Sequence, residues 1–200
     1  MLEKPIKIYL GDLTYDTVGL STEVFPLNIG YIASYCKKLY GNNVEITLFK
    51  YIEKLEKAIH ENPPNIIGLS NYAWCYKIGQ ELFKIALEKN SNTITVWGGP
   101  NFPLDILSQE EFMKKHSEVD FYVPIDGETG FSNIVGKYLE LNSKEIIREQ
   151  IFDEPIEGCI SLSKTGKLQY NNPVIRIKKL DEIPSPYLTG ILDKFFDGKL

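Results

Sequence analysis

Residues 65–70 have the sequence NIIGLS, a short apolar run that follows two prolines. An apolar run of this length is typical of a strand that is covered on both faces of a sheet. Four further runs predict strands, at 6–10 (IKIYL), 44–49 (VEITLF), 93–97 (TITVW) and 119–123 (VDFYV). Helical patterns separate these runs, at 26–40, 51–60, 77–89 and 104–116, and one more follows at 131–141. The alternation predicts a doubly wound α/β fold with a five-stranded parallel sheet and helices on both faces.

The last part of the chain has a different pattern. Residues 158–170 (GCISLSKTGKLQY) predict a β-hairpin around a glycine-containing turn, and residues 181–200 show no strand pattern. We therefore expect an α/β domain in 1–142, followed in 143–200 by a hairpin and a linker. The hairpin is too short to fold alone, so we expect it to pack on the sheet or to lead into a further segment. We expect the tail from Pro184 onward to be poorly anchored.

Composition limits the environment and the partners. The 200 residues are 43% hydrophobic and 24% charged, and no run approaches the length of a membrane span or of a signal peptide's apolar core. The net charge of -5 offers no attraction to nucleic acid. These features predict a cytoplasmic protein that binds neither nucleic acid nor a membrane. The three cysteines, Cys36, Cys75 and Cys159, are far apart, which indicates reduced thiols.

Metal-ligating residues are scarce. With two histidines, His60 and His116, and no cysteine cluster, the chain cannot build a zinc or iron–sulfur site of a familiar kind. Both histidines lie near predicted helix ends, where solvated side chains are expected. We therefore predict neither metal ligands nor catalytic residues, and any chemistry must depend on a bound organic cofactor, on a partner or on sequence outside this chain.

The candidate binding residues follow the predicted strands, because an open parallel sheet binds ligands at the carboxyl ends of its strands. This edge is rich in small, hydroxyl and aromatic side chains and poor in cationic ones. It contains neither the phosphate-binding GxxxxGK or GxGxxG pattern nor a GxSxG nucleophile elbow, and no lysine follows the fifth strand as in a receiver domain. The candidates are Asp12, Thr14 and Tyr15 after the first strand, Ser70, Asn71 and Tyr72 after the third, Gly98, Gly99, Pro100 and Asn101 after the fourth, and Gly127 and Glu128 after the fifth.

The glycine pair and the serine among these residues have definite physical interpretations. Adjacent glycines at Gly98 and Gly99 let the backbone adopt positive φ and let a bulky ligand approach closely, although a tight turn would also explain them. Ser70 could be a helix cap or a turn residue. A serine and a glycine pair at neighbouring strand ends would together line one slot.

The sequence resembles the N-terminal cobalamin (B12)-binding domain of B12-dependent radical SAM enzymes. The matching segments are PLNIGYIASY at 26–35, GLSNYAW at 68–74, WGGPNFP at 97–103, VDFYVPIDGE at 119–128 and LDEIPSPYLTGILDKFFDG at 180–198. The resemblance implies a flavodoxin-like (Rossmann-like) sheet that holds cobalamin over its carboxyl edge. The last segment resembles the linker that leads into the radical SAM barrel.

The resemblance also implies roles for individual residues. The family pattern is an Asp-x-His-x-x-Gly loop, then Ser-x-Leu, then Gly-Gly. Ser70 would meet the dimethylbenzimidazole tail, with Tyr72 in place of the leucine, and Gly98 and Gly99 would leave room for it. No histidine precedes position 60, so the lower face of the cobalt could be lined by Asp12, Thr14 and Tyr15, could be occupied by water or could stay open. Contact by these residues is expected, and coordination is not.

Some side chains keep two interpretations. The aromatic groups of Tyr72, Trp74 and Trp97 could stack on the corrin or belong to the core. Glu128 could contact the cofactor or cap the helix that follows it.

The chain contains no CxxxCxxC, so the 4Fe-4S cluster and S-adenosylmethionine would bind only in a barrel absent from this sequence. The favoured hypothesis is therefore the cobalamin-binding, non-catalytic module of a methyltransferase-like radical SAM enzyme, truncated or encoded apart, with its barrel in cis or in trans. Two alternatives stay open: a stand-alone corrinoid carrier, and a flavodoxin-like interaction domain that binds no corrin.

Overall fold

The computed structural model describes residues 4–14, 25–141, 147–170 and 176–196. Within these residues one seven-stranded sheet has the order β2-β1-β3-β4-β5-β6-β7. The strands are β1 (Ile6–Thr14), β2 (Val44–Tyr51), β3 (Ile66–Ser70), β4 (Ile94–Gly98), β5 (Phe121–Val123), β6 (Ile160–Leu162) and β7 (Leu168–Tyr170). The helices are α1 (Leu27–Tyr40), α2 (Ile52–Glu61), α3 (Tyr76–Lys89), α4 (Ile106–Lys115), α5 (Gly127–Leu141) and the short α6 (Ile147–Gln150).

The predicted parallel sheet is confirmed for β1 to β5, whose neighbouring strands all pair in parallel. The sheet is nevertheless larger than predicted. β6 pairs antiparallel with β5, and β7 pairs antiparallel with β6, so the hairpin extends the sheet to seven strands. A lone hairpin is marginally stable in water, and pairing with the exposed edge of β5 gives it backbone partners and a core to cover.

Two hydrophobic layers cover the sheet. Ile66 faces the layer formed by α1 and α5, whereas the next residue, Ile67, faces α2, α3 and α4. Successive strand residues point to opposite faces, so a strand buried on both sides needs apolar residues throughout. This explains why residues 65–70 lack alternation.

The first strand is longer than predicted. β1 was expected to end at Leu10, but it remains paired with β2 up to Thr14, opposite Tyr51, after an irregularity that follows Gly11. Asp12 and Thr14 therefore lie on the end of a strand and not in a polar loop. Strand pairing fixes their positions at the carboxyl edge.

The expectation of a poorly anchored tail is wrong for the described part of that tail. Leu192 is fully buried, and a Cβ atom on Gly30 of α1 would lie 3.3 Å from its Cδ2 atom. Lys194 donates a hydrogen bond to the carbonyl of Leu48 on β2. The glycine in α1 leaves space for the tail to dock. The predicted boundary between 142 and 143 lies outside the described residues.

The histidines differ from each other. His60 is exposed, as expected. His116 is not solvated: it is 6% exposed, and its Nδ1 atom lies 2.8 Å from Nε2 of Gln80 and 3.3 Å from a carboxylate oxygen of Glu118. Its ring packs against Trp97 and Phe112, and these contacts bury the end of α4. No helix in the described ranges has the length and the apolar character needed to cross a membrane.

Candidate functional site

A slot of about 220 Å³ opens at the carboxyl edge of the sheet, between the strand ends and helices α1 and α5. Its walls are mostly apolar, and Leu10, Ile29, Val96 and Phe131 contribute to them. Polar groups are confined to a few positions, among which are Asn28, Ser70, Tyr72 and Glu128. A mostly apolar slot with a few polar groups is the usual form of a small-molecule site.

The glycine pair shapes one wall of this slot. Gly98 lies on the same face of β4 as Val96, and a Cβ atom there would approach nothing closer than the carbonyl oxygen of Val123, at 3.4 Å. Gly99 has a φ of 116°, and its Cβ atom would lie 3.0 Å from the carbonyl oxygen of Asn71. Gly98 therefore keeps space open in the slot, while Gly99 permits close contact between the loops after β3 and β4.

Three polar side chains meet where β1, β3 and α1 approach one another. Nδ2 of Asn28 donates to Oγ of Ser70 over 3.0 Å. Asp12 lies beside them, because Gly11 on β1 pairs with Leu69 on β3. Burial raises the pKa of Asp12, and the polar side chains of Ser70 and Asn28, together with the charge of Lys50, oppose that rise. The structure thus brings Asp12 and Ser70 together, as predicted for an edge of parallel strands.

The sequence pattern alone does not indicate that Asn28 is a site residue. It lies in the first turn of α1, inside the segment 26–35 that carries part of the family resemblance. Its position at the start of the helix beside β1 was a usable signal. A polar side chain there faces the strand ends across the edge.

Asn71 and Asn101 hold the two neighbouring loops together. Nδ2 of Asn71 donates to the carbonyl of Asn101 over 3.0 Å, and Nδ2 of Asn101 donates to Oδ1 of Asn71 over 3.1 Å. The hydroxyl of Tyr122 donates to the carbonyl of Gly99 over 2.8 Å. Asn71 is completely buried, so its amide faces protein and not the slot.

The aromatic residues separate into two groups. Trp97 is completely buried and packs against Phe83 and Phe112, so it belongs to the core. Tyr72 and Trp74 stack on each other with ring centres 4.6 Å apart, and Trp74 is 62% exposed. The Tyr72–Trp74 stack therefore presents an aromatic surface at the site.

The remaining predicted residues lie around the same edge. Thr14 contributes with Asp12, Lys50 and Trp74 to a neighbouring cavity of about 310 Å³. Pro100 is exposed on the loop after β4. Gly127 and Glu128 form the first turn of α5 and line the slot, where a carboxylate also interacts favourably with the helix dipole. Tyr15 lies outside the described residues.

The described part of the chain contains no group of three or more histidine, cysteine, aspartate and glutamate side chains that could hold a metal ion. All three cysteines are buried and unpaired. Burial raises the pKa of the Cys36 and Cys159 thiols, which disfavours the thiolate form that metals bind.

A doubly wound parallel sheet with a slot at the carboxyl edge defines a flavodoxin-like ligand-binding domain. Comparison with known families is more specific. The family model described as "B12 binding domain" matches residues 16–135, and the chain belongs to this family. Cobalamin is the cofactor that the family binds, which confirms the resemblance seen in the sequence.

Curated relatives include two methyltransferases that each share 25% identity with the chain. They are the 2-(S-pantetheinyl)-carbapenam-3-carboxylate methyltransferase of Streptantibioticus cattleyicolor and the cobalamin-dependent radical SAM methyltransferase TokK of Streptomyces tokunonensis. Each match covers 88% of this chain but 25% of the relative. The uncharacterized methyltransferase PH0819 of Pyrococcus horikoshii is 26% identical over 80% of this chain and 33% of its own length. The chain thus spans a quarter to a third of these relatives.

Among solved structures, the chain is similar to the cobalamin-dependent S-adenosylmethionine radical enzyme OxsB. With aqua-cobalamin and S-adenosylmethionine bound, OxsB superposes with a TM-score of 0.64 at 19% identity, covering 96% of this chain and 25% of OxsB. The OxsB structure with aqua-cobalamin alone gives a TM-score of 0.65 at 18% identity, again over 96% of this chain and 25% of OxsB. At this level of identity the similarity supports the fold.

Proposed function

We propose that this chain holds cobalamin with the corrin ring over the carboxyl edge of the sheet and the dimethylbenzimidazole tail in the slot. The observation that carries the proposal is the slot itself, which is apolar along its walls and kept open at Gly98. A planar aromatic base suits such a cavity, because apolar walls exclude water from the two faces of the ring. Ser70 supplies a polar group at the strand end for a ring nitrogen.

Each predicted residue has a place in this arrangement. Ser70, Gly98 and Gly99 border the tail, while Tyr72 and the adjoining Trp74 offer an aromatic surface toward the corrin. Asp12 and Thr14, with Tyr15, would lie beneath the lower face of the ring. Asn71, Pro100, Asn101, Gly127 and Glu128 form the surrounding rim, and the asparagines also fix its shape.

The described residues offer cobalt no histidine at this edge, because His60 lies at the end of α2 and His116 lies at the end of α4. We infer that the protein lines the lower face by contact and not through an imidazole ligand. Bound cobalamin would supply methyl-group chemistry, and the residues of the chain would orient the ring and exclude water.

We propose further that this domain serves a methyltransferase-like radical SAM enzyme in the cytoplasm. A barrel in cis or in trans would bind the 4Fe-4S cluster and S-adenosylmethionine. The α/β domain would comprise 1–142, and the hairpin and linker in 143–200 would lead toward the barrel. The lengths of the relatives support a further domain, since each relative is three to four times as long as its match with this chain.

The test is to purify the chain, incubate it with hydroxocobalamin and separate it by gel filtration. We expect corrin absorbance to elute with the protein at a stoichiometry near one. Elution without corrin would overturn the proposal and would favour the interaction domain. Corrin retention followed by methyl transfer to a substrate, with no barrel protein present, would favour the stand-alone carrier.

A further inference from the structure

The slot is lined by two rows of strand residues on the face toward α1 and α5. Ser70 pairs with Gly98 at the carboxyl edge and forms the outer row. Two positions further in, Gly68 pairs with Val96 on one side and with Leu10 of β1 on the other, and these form the inner row. Parallel strands rise about 3.3 Å per residue, so the inner row lies roughly 7 Å inside the edge. A bicyclic base that enters at Ser70 therefore places its far ring at the inner row.

In the described part of the chain, the inner end of the slot is lined by apolar side chains. Leu10 and Val96 belong to the hydrophobic layer beneath α1 and α5, and Ile32 adds a further wall from α1. Phe131 of α5 covers Gly68 so closely that a Cβ atom on this glycine would lie 2.7 Å from its Cε2 atom. The peptide groups of β1, β3 and β4 pair with one another within the sheet. The inner end thus offers a ligand neither a polar side chain nor a free peptide group.

The polar side chains that line the slot lie at its outer end. Ser70 is the last residue of β3, and Tyr72 follows it. Asn28 donates to the Ser70 hydroxyl, and Glu128 belongs to the first turn of α5. Hydrogen bonding is therefore available to the ring of a base that is nearest the edge, and not to the far ring.

The far ring is where the lower bases of cobamides differ. Cobamides are cobalamin and those of its analogues that differ from it in the lower base. Dimethylbenzimidazole carries two methyl groups on this ring, and methyl groups are stabilised by burial among apolar side chains. Adenine has two acceptor nitrogens and an amine donor on the corresponding ring. At the inner end of the slot these groups would leave water without finding partners, and that burial is costly.

On the basis of the proposed function, we propose that the slot selects cobamides by their lower base, accepting benzimidazole bases and discriminating against purine bases. The selectivity comes from the inner row, formed by Leu10, Gly68 and Val96, and from Phe131 above it. Ser70 does not discriminate, because both classes of base present one unsubstituted nitrogen in the ring nearest the edge. The polarity of the inner end therefore determines which form of the cofactor the domain binds.

The experiment compares three corrinoids that all carry a methyl group on cobalt. They are methylcobalamin, its analogue with adenine as the lower base, and methylcobinamide, which has the corrin but lacks the tail. Titration of the native chain gives the three Kd values and needs no variant. We expect methylcobalamin to bind at least about tenfold more tightly than the adenine analogue. The analogue with 5-hydroxybenzimidazole, which adds one hydroxyl to the far ring, should fall between them.

A variant locates the source of the selectivity. Val96→Thr keeps the size and branching of the side chain but adds a hydroxyl to the inner row. We expect V96T to reduce the preference for methylcobalamin over the adenine analogue by about three- to tenfold, because the hydroxyl gives the purine one partner. Comparing V96T with the native chain for each ligand cancels the equilibrium by which the base leaves cobalt in the free cofactor.

Val44→Thr is the matched control for this variant. Val44 is 1% exposed and lies on the same face of the sheet as Val96, but it belongs to β2 and does not line the slot. V44T introduces the same hydroxyl into the same hydrophobic layer. It should keep the native preference between the two bases, whatever its effect on stability.

Two outcomes would overturn the inference. One is an equal Kd for methylcobalamin and the adenine analogue, with both tighter than methylcobinamide, and the other is a preference that V96T leaves unchanged. A native chain that binds none of the corrinoids would instead overturn the proposed function. Equal affinity for methylcobalamin and methylcobinamide would overturn the placement of the tail in the slot. The failure of the inference and the failure of the proposed function are therefore distinguishable.

Discussion

The backbone of Gly99 lies directly against that of Asn71, so closely that a Cβ atom on Gly99 would be 3.0 Å from the Asn71 carbonyl oxygen. The contact joins the loops after β3 and β4. The backbone N–H of Asn71 also donates to the carbonyl of Gly98 over 2.6 Å. The wall of the slot is thus held by backbone contacts between neighbouring strand ends. A side chain at this point would move one loop away from the other.

Replacement of Gly99 by alanine should therefore destabilise the protein. The residue has a φ of 116°, and both strain and the clash oppose a side chain, so we expect a loss of about 2–3 kcal/mol in the free energy of unfolding. Gly166→Ala is the matched control, because Gly166 has a positive φ of 74° but nothing within 4 Å of its Cβ position. Its cost should be about 1 kcal/mol. Urea unfolding measures both, and equal losses would contradict a steric role for Asn71.

A side chain at Gly98 should block the tail without unfolding the domain. A Cβ atom there meets only the Val123 carbonyl oxygen, at 3.4 Å, so Gly98→Ala should fold normally, whereas Gly98→Leu should fill the slot. We expect G98L to lose at least about tenfold in affinity for methylcobalamin, equivalent to about 1.4 kcal/mol, and to keep its affinity for methylcobinamide. Absorbance-detected titration measures both ligands. An equal loss for the two would place the tail outside the slot.

Leu192 should make a large contribution of the tail beyond Pro184 to stability. Leu192 is completely buried, so Leu192→Ala should cost about 2–4 kcal/mol in the free energy of unfolding. Leu188→Ala provides the control, since Leu188 is 90% exposed and its replacement should change stability by less than about 0.5 kcal/mol. Thermal or urea unfolding compares the two. A tail that is poorly anchored in solution would make L192A as mild as L188A.

The ion pair between Arg148 and the buried Asp120 should contribute far more to the free energy of unfolding than the exposed ion pairs do. Arg148 donates to both carboxylate oxygens of Asp120, at 2.7 and 2.8 Å, and Asp120 is 6% exposed. Arg148→Met leaves a buried carboxylate unpaired, and we expect a loss of about 3 kcal/mol or more. The double variant with Asp120→Asn should recover part of this loss, because no buried charge then remains.

Lys137 supplies the control for this pair. Its side chain is 27% exposed, as is that of Arg148, but its partners Glu140 and Glu154 are 72% and 79% exposed. Lys137→Met should cost less than about 1 kcal/mol, since solvated ion pairs contribute little. Similar losses for R148M and K137M in urea unfolding would show that burial of Asp120 does not determine the effect.

The local pattern of the sequence was sufficient to predict the parallel part of the sheet and its covering helices. Ile66 and Ile67 illustrate the reason, because two adjacent apolar residues in a short strand require a core on both faces. The carboxyl edge followed from the same pattern, so Ser70, Gly98 and Gly99 could be assigned to one site before any contact was known. This information is local, since it depends on periodicity over a few residues.

Only the tertiary structure decided which side chains meet. Asn28 and Ser70 are 42 positions apart, and their hydrogen bond depends on how α1 packs beside β3. The pairing of the hairpin with β5 and the docking of Leu192 on Gly30 are long-range contacts of the same kind. Such contacts form because a hairpin or a tail buries its apolar face on an available surface. The periodic pattern of the sequence does not predict which surface that is. The sequence by itself determined the fold class, the edge and the cofactor family, whereas the hydrogen bond between Asn28 and Ser70 and the burial of Asp12 depend on packing between distant segments.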